Sequence, residues 1–112
     1  MTAETDDWRT PATDALLEAI LALPDRAGAE RFFRDLCTLR EIHDLAQRWE
    51  VAGLLEAGRP YGEISRTTGA STATVTRIAQ WLRHGTGGYR EALARGASVR
   101  ASAAPGTGGG TR

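Results

Sequence analysis

Apolar residues recur at intervals of three and four along most of the chain, the spacing of one face of an α-helix. Leu16, Ala19, Ile20 and Leu23 form the first such stripe, and Thr13-Asp14 stands where a cap is needed. Pro24-Asp25 closes that segment and opens a second, with Phe32, Phe33 and Leu36 on one side and Arg31, Arg34 and Asp35 elsewhere. A third, longer helix is predicted from about Leu39 to Ala57. Its apolar positions, among them Ile42, Leu45, Trp49, Val51, Leu54 and Leu55, exceed one narrow stripe. A helix apolar over so much of its girth is covered on several sides. A chain of 112 residues offers little to cover it, whereas a second copy would.

Gly58 is placed to end the third helix as a left-handed cap. Pro60 opens a short helix, Tyr61 to Thr68, which Gly69 terminates. Ser71 or Thr72 caps the next, which runs to about His84. Gly85, Gly87 and Gly88 break the chain before a last helical piece, Tyr89 to Arg95. No alternating strand pattern and no repeat occurs. The expected architecture is all-α, a multi-helix bundle, with a flexible arm over 1–10 and a helical domain over 11–95. An Ala/Gly-rich tail over 96–112 has no apolar periodicity and is expected to be disordered.

Residues 61–84 are the informative stretch. Two short helices joined by a tight glycine turn make a helix-turn-helix. Ile64 faces inward from the first helix, and Val75, Ile78, Ala79 and Leu82 form the inward stripe of the second. Ser65 is small where the helices cross. The same pattern also describes an ordinary helical hairpin, so the outer faces must decide. Thr72, Ala73, Thr76, Gln80 and Arg83 share one face, small and uncharged until Arg83. Such an end fits the major groove, where Thr hydroxyls bond base edges and methyl groups touch thymine. Thr74, Arg77, Trp81 and His84 form a third face. Arg59, Arg66, Arg77, Arg83 and Arg90 surround the unit and suit phosphates, which position rather than specify.

The formal net charge is zero, which taken whole points away from a polyanion partner. The two halves differ, however. Residues 1–57 hold 12 acids and 6 arginines, a net of −6, and residues 58–112 hold 8 arginines against Glu63 and Glu91, a net of +6. That asymmetry favours a polyanion partner for the second half. All 14 cationic residues are arginine.

The single Cys37 excludes a disulfide within the chain and fits a reducing compartment. No apolar run approaches the roughly 18 residues of a membrane span, and Met1 to Trp8 is too acidic for a secretory signal. Cys37, His43 and His84 have no metal-ligand spacing, so no metal is expected, and Cys37 reads as a small buried apolar residue. Asp6-Asp7 do not form a catalytic pair, and no nucleophile set or phosphate loop occurs, so the chain does not read as an enzyme. Trp49 reads as core, and Phe32-Phe33 as core or dimer interface. Arg48 is four residues beyond Asp44, and the plainest account is an ion pair between them.

The runs RFFRDLCTLREIHDLAQRWEVAGLLEAG and YGEISRTTGASTATVTR, within Arg31 to Leu93, resemble the tryptophan repressor family, and within it the YerC/YecD branch of repressor-like proteins. The resemblance implies an all-helical, intertwined homodimer whose helix-turn-helix units read operator DNA. By position, Thr72, Ala73 and Thr76 match the family's base-contacting residues. The tryptophan repressor holds its corepressor between two arginines, with a threonine carbonyl and a serine. Arg48 and Arg77 match the arginines and Thr38 the threonine, but Trp81 stands in place of the serine and Ile78 in place of a space-giving glycine. Both departures add bulk, so the pocket is expected to be altered or vestigial, with Trp81 partly filling it. No tryptophan corepressor is expected, which leaves room for another small-molecule effector. Arg77 keeps three readings: phosphate contact, pocket remnant, or salt-bridge partner.

The expectation is therefore a cytoplasmic, nucleoid-associated regulator of transcription, a repressor that binds double-stranded DNA as a homodimer. Thr72, Ala73, Thr76 and Gln80 would touch bases, and Arg59, Arg66, Arg77 and Arg83 phosphates. A dimeric protein-interaction module is the alternative, and a helix-turn-helix subunit serving a transposase a weaker one. The position of the arginines relative to Thr72 and Thr76 discriminates, since scattered arginines would favour the interaction module.

Overall fold

A computed structural model describes residues 8–96, and the chain divides into two compact units, Met1–Ile42 and His43–Arg112. All regular elements among the described residues are helices. Residues 1–7 of the expected arm and 97–112 of the expected tail lie outside the described residues.

The first unit holds α1 (Pro11–Leu21) and α2 (Arg26–Leu36). The cap of α1 is Thr10, not Thr13-Asp14 as the stripe suggested. Thr10 is extended, and Pro11 at the first helical position presets the φ that the helix needs. Thr13 then returns the bond. The Thr10 amide donates to the Thr13 Oγ1 at 2.7 Å, and the Thr13 amide donates to the Thr10 Oγ1 at 3.1 Å. This is a capping box with threonine in the place usual for glutamate. Asp25 caps α2, accepting from the Gly28 amide at 2.9 Å. Phe32 and Phe33 are half-buried and meet edge to face, with centroids 5.4 Å apart. Cys37, expected to be buried, is only partly so. Leu16, Leu17, Leu21 and Leu36 are exposed in the single chain.

The helix α3 (Leu39–Glu56) begins at a second reciprocal cap. The Thr38 amide donates to Glu41 Oε1 at 2.8 Å, and the Glu41 amide donates to Thr38 Oγ1 at 3.1 Å. It ends in a Schellman turn: Gly58 has φ +82°, its amide reaches the Leu55 carbonyl, and the Arg59 amide reaches that of Leu54. The second unit adds α4 (Tyr61–Thr68), α5 (Thr72–His84) and a helix α6 over 88–96.

The core of the second unit is small. Val51 and Ala52 of α3, Ile64 of α4, Ala70 of the turn, and Val75 and Ile78 of α5 are buried together. Leu54, Leu55 and Tyr89 pack against this cluster. The stripe expected on α5 is buried throughout, at Val75, Ile78, Ala79 and Leu82. Trp49, expected in the core, is 43% exposed. Its ring stacks on Tyr89, with centroids 6.5 Å apart.

Ile64 has no exposed surface, and its truncation leaves a void in the core shared by α3, α4 and α5. Ile64→Ala is expected to lower stability by about 2–5 kcal/mol. Gly69→Ala forces a side chain to φ +79° and is expected to cost about 1–2 kcal/mol. Urea denaturation followed by circular dichroism measures both, and the larger loss belongs to Ile64.

Candidate nucleic-acid interface

The site begins with the turn between α4 and α5. Gly69 is left-handed, and its amide closes α4 on the Ser65 carbonyl at 2.9 Å. Four side-chain bonds then fix the turn. The Ser65 hydroxyl donates to the Ala70 carbonyl at 2.6 Å. The Thr68 hydroxyl donates to the Ile64 carbonyl at 2.8 Å and accepts from the Ala70 amide at 3.1 Å. From α3, Gln47 Nε2 donates to the Thr68 carbonyl at 3.1 Å. The Thr68 and Ala70 carbonyls and the Gly69 and Ala70 amides of the turn are thereby satisfied, which ties the start of α5 to α4. Ser71 caps α5, accepting from the Thr74 amide at 3.1 Å.

With Val75, Ile78, Ala79 and Leu82 inward, the helical period turns Thr72, Ala73, Thr76 and Gln80 outward, and all four are exposed. The Thr72 and Thr76 hydroxyls and the Gln80 side-chain amide have no protein partner among the described residues. Groups in that condition are free to bond base edges.

The arginines are disposed unequally. Arg83 lies on the same α5 face as Thr72 and Thr76, and it donates to the Tyr61 hydroxyl at 3.0 Å. Arg59 pairs with Glu63 at 2.9 Å, an exposed i,i+4 pair worth little against a phosphate. Arg66 is exposed and has no ion pair among the described residues. Arg48 does not pair with Asp44, and the salt-bridge reading of Arg77 fails too, since neither has a carboxylate partner among the described residues. An exposed pair gives too small a gain to hold Arg48 against hydration.

Arg48 and Arg77 instead line one open cavity of about 330 Å³, with Thr74, Ile78, Trp81 and Tyr89. Thus four of the five residues expected around an effector pocket meet. The fifth, Thr38, caps α3 in the other unit, and its carbonyl accepts from the Ile42 amide at 3.0 Å. Trp81 forms a wall of the cavity and is 60% exposed. The sequence reading missed Tyr89, because the glycines at 85, 87 and 88 break the periodicity that would have carried it there. It missed Tyr61 for a similar reason, since α4 is too short to show which side faces α5.

Among the described residues every regular element is a helix, and α5 turns a small polar face outward beside arginines that have no carboxylate partner. The model of the Trp repressor protein family matches residues 12–97, and the chain belongs to that family. It is 46% identical over 92 residues to the uncharacterized protein YerC of Bacillus subtilis (strain 168), covering 82% of this chain and 88% of YerC. Its fold is similar to the crystal structure of a TrpR like protein from Eubacterium eligens ATCC 27750. There the TM-score is 0.77 at 43% identity, over 80% of this chain and 93% of that one. A Staphylococcus aureus crystal structure gives a TM-score of 0.76 at 41% identity, over 80% and 90% of the chains.

The polar lock on the turn is testable. Thr68→Val keeps the shape but removes the donor to Ile64 and the acceptor for the Ala70 amide. The expected loss is about 1–2 kcal/mol, and amide exchange should quicken around the turn before it does in α3. Uniform acceleration of all helices would show that the lock has no local role.

Proposed function

We propose that the protein is a sequence-specific DNA-binding regulator of transcription, a repressor that acts as a homodimer in the cytoplasm on nucleoid DNA. The observation that carries this reading is the outer face of α5. Its core stripe is fully used inside the unit, while Thr72, Ala73, Thr76 and Gln80 stand outward with nothing to bond. Membership in the Trp repressor protein family supports it. The exposed leucines of α1 and α2 support the homodimer, since a small domain that leaves such residues open gains by covering them. No catalytic step forms part of this reading. Two recognition helices related by a twofold axis would enter successive major grooves about 34 Å apart, so the operator is near-palindromic.

In this scheme Arg66, Arg77 and Arg83 neutralise phosphates, and Arg59 does so after releasing Glu63. Affinity then falls steeply with salt. Selection of bound duplexes from a random library, followed by a mobility-shift series, tests the reading. Thr76→Ala should alter base preference at one position by about 1–3 kcal/mol, whereas Arg83→Ala should weaken all sequences alike. A protein that dimerises but shifts no duplex at low salt would instead be an interaction module.

The cavity of Arg48 and Arg77 is proposed to be an altered effector site that does not take tryptophan as corepressor. Ile78 and Trp81 occupy the positions where the family resemblance calls for glycine and serine, and both line the cavity. Calorimetric titration with L-tryptophan should give no saturable heat at micromolar concentration, while Trp81→Ser with Ile78→Gly should gain it. Saturable heat from the unaltered protein would refute the proposal.

A further inference from the structure

A second crevice, of about 350 Å³, is lined by Arg59, Tyr61, Arg83 and Arg90, with Glu56 beside them. It brings together the end of α3 at Glu56, Arg59 in the link after it, Tyr61 at the start of α4, Arg83 on α5 and Arg90 on α6. We propose that this crevice binds a phosphate group, with Arg90 as a ligand that makes α6 part of the binding surface.

The chemistry of the lining supports this. Arg83 spends one guanidinium N–H on the Tyr61 oxygen, so the phenol, acting there as acceptor, keeps its own proton to donate. Arg90 has no hydrogen bond or ion pair among the described residues. Arg59 carries Glu63, an exposed partner that a phosphate can replace. Glu56 is the one carboxylate of the lining, and it has no ion pair among the described residues. Three guanidinium forks and a phenol carry more donors than Glu56, Glu63 and the Tyr61 oxygen can accept, and a phosphate supplies further acceptors.

Position supports a phosphate of the DNA backbone. Arg83 lies eleven residues beyond Thr72 on the same helix face, about 16 Å along the axis. The major groove is about 12 Å wide. With the start of α5 in the groove, Arg83 and its crevice reach the flanking strand. This assignment rests on the DNA-binding reading above, but the donor set itself does not. A free phosphorylated small molecule offers the same chemistry.

Two measurements on the full chain separate the cases. Arg90→Gln removes one charge from an exposed, unpaired residue, so the thermal melt should not move. On a mixed-sequence duplex, the slope of log K against log salt should fall by about 0.9 per crevice, whatever the sequence. Tyr61→Phe keeps every charge, so it should leave the slope alone and weaken binding about two- to ten-fold. In the second measurement inorganic pyrophosphate is titrated without DNA and the tyrosine ring resonances are followed. Saturation that Arg90→Gln abolishes, with an unchanged salt slope, assigns the crevice to a free phosphate ligand. An unchanged slope together with no Arg90-dependent saturation overturns the site. If the unaltered protein binds no duplex at low salt, the DNA-binding reading fails by itself, and the pyrophosphate result alone decides the crevice.

Discussion

The outer face of α5 is set by the burial of its inner one. Val75, Ile78, Ala79 and Leu82 are committed to the core of the second unit, and the helical period then leaves Thr72, Thr76 and Gln80 no direction but outward. Burial of Val51, Ile64 and Val75, each without exposed surface, is worth about 1.5–3 kcal/mol per side chain. A few such residues form the buried core between α4, α5 and the end of α3. The polar bonds of the turn contribute less energy than this core but give it direction. Apolar contacts tolerate sliding, whereas Ser65, Thr68 and Gln47 bind four separate backbone groups at the turn and the end of α4 and so favour one register.

Much of this was legible in the sequence. The bounds of α4 and α5 follow from Pro60, Gly69, Ser71 and Gly85, residues whose backbone preferences act locally. The stripe of α5 and four of the five pocket residues follow from the helical period and the family resemblance. What was not legible depended on competition. Thr13 and Thr10 are both good caps, and Pro11 decides between them by its fixed φ. Asp44 and Arg48 have ideal spacing for a pair, yet spacing alone does not overcome hydration and side-chain entropy. Trp49 lies on an apolar stripe, but only a stack with Tyr89, forty residues on, tells which part of its ring is covered.

The cavity and the crevice are joined by α6. Tyr89 lines the first and stacks on Trp49, and Arg90, the next residue, lines the second. A glycine-rich link precedes them: Gly87 has φ +96°, and a Cβ at Gly85 would stand 2.4 Å from the Trp81 carbonyl. That closeness obliges residue 85 to be glycine if α5 is to end where it does. The chain thereby turns sharply enough to bring Tyr89 back onto α3.

Net charge is a poor guide to such a molecule, and the pairing of the arginines explains why. The described ion pairs are Arg26–Glu30, Arg59–Glu63 and Arg95–Glu91, all exposed and all within one helical turn or its flank. Arg48, Arg66, Arg77, Arg83 and Arg90 have no carboxylate partner among the described residues. A paired arginine must surrender its carboxylate before it takes a phosphate, so part of the gain is lost. An unpaired one surrenders only water. Twelve of the 14 acids that bring the total to zero lie in residues 1–57, and of these Glu56 is the one that lines the crevice of Arg83 and Arg90. The sum over the chain reports solubility, while the arginines of α4, α5 and α6 that carry no carboxylate partner among the described residues set what the surface can hold.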